Sequence, residues 1–156
     1  MSWDVSLYKF TRRYSNIQEI PGVEQPYPPG PLSEVQTAVS DVFPGTNWNA
    51  PVWGIYDSEF GSIEFNVGKD DLVPSLALHV RASNAIVGGI LRLCERLGCQ
   101  AIDISDSSFL DQCEHPAAGL ERWREYRDQV IERLGANCFK LFCFESLYAL
   151  GIESRQ

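Results

Sequence analysis

The segments Ser62-Ile63-Glu64-Phe65-Asn66-Val67 and Ser75-Leu76-Ala77-Leu78-His79-Val80-Arg81 alternate large apolar residues with polar or small ones. Side chains on a strand point to opposite faces in turn, so each segment reads as a strand with one buried side. Ile63, Phe65 and Val67 form the apolar set of the first, and Leu76, Leu78 and Val80 that of the second. Ile102 and Ile104 extend the pattern into a later segment, Cys99 to Ser105. Burying these residues sends Glu64, Asn66, His79, Arg81, Asp103 and Ser105 to the other face. That polar face is the first functional candidate, and it suits a partner-binding surface, an enzyme site or a structural ion-pair network.

The flanking sequence supplies the rest of the fold. Trp3, Val5 and Leu7 alternate with Asp4, Ser6 and Tyr8, which predicts a first strand ending near Phe10. Five prolines and two glycines between Ile20 and Pro31 predict an extended connection without regular helix or sheet. Leu32, Val35, Val39 and Val42 recur at helical spacing until Pro44 and Gly45 stop them. Three strands follow, over Val52–Asp57, Gly61–Val67 and Ser75–Arg81, joined as an antiparallel meander. Asn84 is placed to cap a helix whose stripe is Ile86, Ile90, Leu93 and Leu97 and whose stop is Gly98. Gly88 and Gly89 weaken that helix by about 1 kcal/mol each, so close packing against the sheet is expected there.

A longer helix is expected from Ala117 to Leu134, with Leu120, Trp123, Val130 and Leu134 on one side and Gly135 as its end. The tail FKLFCFESLYALGI, Phe139 to Ile152, is too apolar to stay free in water. A final strand, a buried helix and an oligomer contact all fit it, and nothing in the pattern assigns an oligomeric state. The expected architecture is a single α+β domain over 1–156. It has a mainly antiparallel sheet of about five strands, with helices packed on the Ile63, Phe65, Leu78, Val80 and Ile102 face.

Bulk properties narrow the function. The 156 residues carry 21 Asp and Glu against 13 Lys and Arg, a net charge of −8, which repels phosphate backbones and anionic lipid surfaces. Nucleic-acid and membrane partners are therefore disfavoured, and a basic protein partner is favoured. The apolar runs fall short of the ~20 residues that span a bilayer, and the first residues lack a secretory signal's pattern. Five cysteines, Cys94, Cys99, Cys113, Cys138 and Cys143, cannot all pair within one chain, and they contain no CxxC spacing. Free thiols in a cytoplasmic protein are the expectation. The absence of GxGxxG, GxxxxGK[ST] and zinc-ligand spacings implies neither a cofactor nor a metal.

Trp53-Gly54, Ser62 to Asn66, Leu78 to Arg81 and Ala101 to Ser105 together resemble a group of small, largely uncharacterised bacterial cytoplasmic proteins. These begin with a short aromatic strand and continue with strands like SIEFN, LHVR and AIDIS. The resemblance covers roughly the first two thirds of the chain. Some members of the group look like immunity proteins of contact-dependent or secreted bacterial toxins, which implies neutralisation of a cognate toxin by direct binding.

Two functional readings therefore stand. In the first, a non-catalytic module binds a basic toxin through Trp53, Tyr56, Asp57, Glu59, Glu64, Asn66, Asp70, Asp71, His79 and Arg81. Its acids Asp57, Glu59, Glu64, Asp70 and Asp71 jointly steer the partner, while the aromatics, with Trp48 nearby, anchor it. In the second, Glu64, His79 and Asp103 form the acid/base set of a small enzyme, since a carboxylate-oriented histidine transfers protons near neutral pH. The bland alternative for the same residues is a cross-strand charge network at roughly 0.2–1 kcal/mol per pair.

Overall fold

The computed structural model describes the backbone of residues 1–149 and the side chains of residues 1–135. In chain order the elements are β1 (Trp3–Tyr8), β2 (Gly30–Pro31), α1 (Leu32–Val42), β3 (Asn47–Ala50), β4 (Trp53–Ser58), β5 (Gly61–Asn66), β6 (Leu72–Val73), β7 (Leu76–Ala82), α2 (Val87–Leu97), β8 (Gln100–Asp103), β9 (Ser108–Phe109) and α3 (Ala118–Ala149). Seven strands form one sheet in the order β3-β4-β5-β7-β1-β8-β9, and each neighbouring pair is antiparallel. β2 and β6 make a separate two-stranded ladder. The fold is α+β, and its five inner strands are those the alternation predicts. β3 and β9 escape periodicity because NWNA is only four residues long with a single large apolar side chain, and β9 is only two residues long. Gly30–Pro31, inside the proline-rich connection, nonetheless pairs with Leu72–Val73.

The chain divides into a compact unit, Met1–Glu121, and a second unit, Arg122–Gln156. In the first, the core lies between one sheet face and the helices. Ile63, Phe65, Leu76, Leu78, Val80, Val5 and Leu7 are fully buried or nearly so, as are Val35 and Val39 of α1 and Ile90 and Leu93 of α2. Each such side chain contributes roughly 1.5–3 kcal/mol by leaving water, an upper estimate because the unfolded chain is itself partly collapsed. Gly98 ends α2 in the left-handed conformation at φ +67°, with its N–H shared between the Cys94 and Glu95 carbonyls. Asn84 does not cap that helix. It lies in a 3-10 turn, Asn84–Ile86, and its side-chain amide donates to Glu121.

β8 sits one residue out of the expected register. Val5 is paired with Asp103 and Ser6 with Ile102, so Ala101 and Asp103 join the core side while Ile102 and Ile104 face the other way. Ile104 is 53% exposed and Asp103 only 3%. The buried carboxylate is tolerated because it is well supplied with donors. The Trp3 indole donates to Oδ2 at 2.9 Å, and the Ser105 amide and hydroxyl donate to Oδ1 at 2.8 and 2.6 Å. Gly119, in the first turn of α3, lies directly over this carboxylate. A Cβ there would come within 1.7 Å of Asp103 Oδ2 and 2.7 Å of Trp3 Nε1.

In the second unit α3 continues through Gly135 to Ala149, so Gly135 is not the expected stop. A glycine ends a helix by adopting positive φ, and Gly135 is not among the positive-φ glycines. Leu134, expected on the apolar side, is exposed. The Arg127 guanidinium lies 5.1 Å from the centre of the Trp123 ring. α3 carries the tail's backbone from 139 to 149, which excludes the strand alternative for that stretch. Its side chains, including Cys138 and Cys143, lie outside the described residues.

Gly88 and Gly89 behave differently, because a Cβ on Gly89 would meet the Phe43 ring at 2.8 Å whereas one on Gly88 would meet only Arg92, at 3.6 Å. The close neighbour is thus the end of α1, not the sheet. Gly89→Ala is expected to destabilise by about 1–3 kcal/mol through overpacking. Gly88→Ala, with lower unfolded-state entropy, is expected to stabilise by roughly 0.5 kcal/mol. Urea unfolding of both variants checks the opposite signs.

The long loop after β1 is fastened at Glu24, whose carboxylate accepts from the Thr11 amide and hydroxyl, each at 2.8 Å, and from the Tyr14 hydroxyl. The Thr11 amide first, and then Tyr14, hold the Glu24 carboxyl below its ordinary range. A depressed folded pKa means that this contribution is present above the unfolded value and is lost as pH falls through the folded one. Wild type should therefore lose more stability than Glu24→Gln on acidification below about pH 4.5, read as Tm against pH.

Candidate functional site

The sheet face opposite α1 and α2 is ordered by register into rows that cross the strands. One row runs Ile55, Glu64, His79, Asp4 over β4, β5, β7 and β1. Ile104 continues it, since its amide donates to the Asp4 carbonyl at 3.1 Å. Beside it runs Trp53, Asn66, Ala77, Ser6, Ile102. On the other side lie Asp57, Ser62 and Arg81. Each residue is where its strand's pleat puts it, because the partner residues Gly54, Tyr56, Ile63, Phe65, Leu78, Val80 and Val5 occupy the core side.

The charged groups pair across strands. His79 Nδ1 is 2.8 Å from Asp4 Oδ1, which also accepts from the Ser2 hydroxyl at 2.7 Å. Arg81 Nη1 donates to Glu64 Oε1 at 2.8 Å, and Arg81 Nε donates to the Met1 carbonyl at 3.1 Å. The Trp53 and His79 rings stack, with centroids 5.8 Å apart and planes at 28°. These four side chains remain 30–48% exposed. Pairs this open to water contribute at most about 1 kcal/mol each, so stability alone gives little reason to hold them in place. Ile55 at 46% and Ile104 at 53% exposed add apolar area at either end of the central row.

Several expected site residues lie elsewhere. Asp103 is in the core on the opposite face, so the set Glu64, His79, Asp103 is not assembled. Glu64 does neighbour His79 in register, but the carboxylate bonded to the imidazole is Asp4. Tyr56 also points to the helix side, its ring 5.2 Å from that of Phe43. Trp48 joins it there, with its ring against Gly54 and its indole donating to Ser40 at 2.9 Å. Asp57 and Glu59 lie at the β4–β5 turn, whereas Asp70 and Asp71 follow the far end of β5, roughly 17 Å away along the strand. Glu64, the fifth expected acid, lies on β5 between these two pairs.

Asp4 and Ile55 were not singled out by sequence, and Ile104 was expected on the buried side. Asp4 was visible in the polar set of β1, but not its neighbour, because β1 pairs with β7 about seventy-five residues later. Ile55 was signalled by its place between Trp53 and Asp57 on the same pleat.

Other chemistry is located away from this face. A surface cleft of about 390 Å³ is lined by Lys9, Ser33, Glu34, Thr37 and Arg96, at the start of α1 and the end of α2. Among the described residues, no group of three His, Cys, Asp or Glu side chains is arranged to hold a metal ion. No helix among them is long and apolar enough to cross a membrane. Comparison with protein-family models, curated proteins and solved structures finds no match to the chain.

Cys94 and Cys99 are buried and Cys113 is half-buried. Burial pushes the Cys99 thiol up to about 11 and raises that of Cys94 further. Raised folded values favour folding below the unfolded pKa, and that contribution is lost as pH rises from about 9 toward 11. At pH 8 a thiol-specific colorimetric reagent should label Cys94 and Cys99 of the native chain at least tenfold more slowly than after unfolding. Equal rates in the two states would contradict the burial of these thiols.

Proposed function

We propose that the chain is a protein-binding module whose contact surface is the open sheet face. We further propose that it acts as an immunity protein, neutralising a cognate bacterial toxin with a basic surface by direct binding in the cytoplasm. The observation that carries the binding reading is the row Ile55, Glu64, His79, Asp4 and Ile104, half-exposed beside the stacked Trp53. A rigid sheet presenting an aromatic anchor, flanking isoleucines and oriented charges has the make-up of a protein interface. The net charge of −8 supports a basic partner by raising the encounter rate. The word immunity rests on the resemblance of the strands to small proteins of that kind.

A second reading, a small enzyme, draws on the His79–Asp4 hydrogen bond, since a carboxylate-held imidazole is a general base in waiting. Glu64 is its neighbour and not its orienting partner.

Affinity capture with the full chain, co-expressed with the toxin candidate encoded beside it, is expected to retain a basic protein. Ile55→Glu and Trp53→Ala should each weaken that complex at least tenfold, mainly by faster dissociation, without altering the fold. Retention of full affinity by both variants would move the interface elsewhere. Turnover of a small molecule that disappears in folded His79→Ala, with no protein captured, would favour the enzyme.

A further inference from the structure

The central row carries more information about its occupant than a general preference for positive charge. Asp4 and Glu64 sit on either side of His79, on three adjacent strands spaced about 4.8 Å apart. Each carboxylate has one oxygen engaged by the chain's own groups. Asp4 Oδ1 takes Ser2 and His79, and Glu64 Oε1 takes Arg81. Asp4 Oδ2 and Glu64 Oε2 accept no hydrogen bond from the described residues. His79, next to both carboxylates in register, has its ring stacked on Trp53. Next to it, Ala77 and Ser6 are the smallest side chains of the adjoining row, set between Asn66 and Ile102.

Resting on the protein-binding reading, we propose that this spot receives an arginine side chain of the partner. Its guanidinium would lie over the Trp53–His79 stack and donate to Asp4 Oδ2 and Glu64 Oε2, with its stem over Ala77. A guanidinium fits because it is planar, stacks on aromatic faces and directs five N–H donors outward in a fixed fork. A lysine ammonium is a point charge on a flexible stem and uses only the electrostatic half of the site. An apolar occupant would cover both oxygens and leave them without donors. Charge complementarity also sets the sign. Asp57 is the next acid on this face, and the guanidinium of Arg81 is already bonded to Glu64, as the His79 ring is to Asp4.

The test needs no partner in hand. The full chain, labelled with nitrogen-15, is titrated with Nα-acetyl-arginine amide and with the corresponding lysine and citrulline amides, and followed by NMR. The arginine probe is expected to shift the Trp53 indole N–H and the amides of Glu64 and His79. The neutral citrulline probe should bind at least tenfold more weakly and the lysine probe several-fold more weakly. The double variant Asp4→Asn/Glu64→Gln should lose at least tenfold in arginine affinity while its remaining spectrum stays in place. Asp70→Asn/Asp71→Asn, altered at the far end of β5, should bind like wild type.

Equal shifts with lysine and arginine would overturn the proposal. So would shifts spread over Asp57, Glu59, Asp70 and Asp71, or no shift at any soluble probe concentration. The outcomes separate the two claims. A captured partner that depends on Ile55, together with a silent arginine probe, sinks the arginine site alone. A responsive probe with no captured protein keeps a guanidinium-binding spot but overturns its assignment to a partner's arginine together with the binding-module reading.

Discussion

The double pairing of β1 is the constraint on which the rest of the molecule depends. The first strand of the chain is hydrogen-bonded to β7 on one side and β8 on the other, placing its six residues in the middle of the sheet. Its pleat then assigns both surfaces at once. Trp3, Val5 and Leu7 go into the core, and Asp4, Ser6 and Tyr8 go to the opposite face. Because the side-chain period is two, a slip of one residue in β1 would exchange these sets and put Asp4 against the helices. The same register that buries Val5 between Leu78 and Asp103 brings Asp4 to His79.

β5 and β7 were readable from sequence because each has three large apolar residues at strict alternation, and burial of that set outweighs any competing register. β8 was misread for an equally physical reason. Its pattern offers two isoleucines on one parity and Ala101 with Asp103 on the other, and hydrophobicity alone selects the isoleucines. What reverses the choice is long-range and polar. The Trp3 indole, the Ser105 turn and the close approach of Gly119 make a site for the Asp103 carboxylate. None of these neighbours leaves a periodic trace. The candidate site followed suit. Glu64, Asn66, His79 and Arg81 were legible from pleat alone, whereas the pairing of His79 with Asp4 needed strand order, which local sequence does not encode. Tyr56 was misplaced because a strand flanked by turns shows its alternation but not which parity the helices cover.

Two differently built carboxylates illustrate how the fold divides its polar groups. Asp103 is enclosed and fully engaged, so it serves to join β1, β8 and the start of α3. Removing its donors would leave a buried carboxylate exposed to the full desolvation penalty. Asp4, on the neighbouring residue row but the other face, is half in water. Its bond to His79 can break at little cost, since solvent replaces the lost partner. One group therefore resists perturbation and the other is available for exchange.

This difference bears on what covering the open face would require. A partner that seals the row withdraws water from Asp4, Glu64, His79 and Arg81, and the intrachain pairs satisfy only part of each carboxylate. The uncovered lone pairs then weigh against binding unless the partner brings donors to them. Apolar contact at Ile55, Trp53 and Ile104 can supply favourable area, but it cannot offset misplaced donors, because unpaired buried acceptors cost about 1–3 kcal/mol each. A binding face of this make-up would thus be selective. For a partner on this face, affinity would come from the flanking apolar side chains and discrimination from the centre, where a mismatched partner would leave the carboxylates desolvated and unpaired.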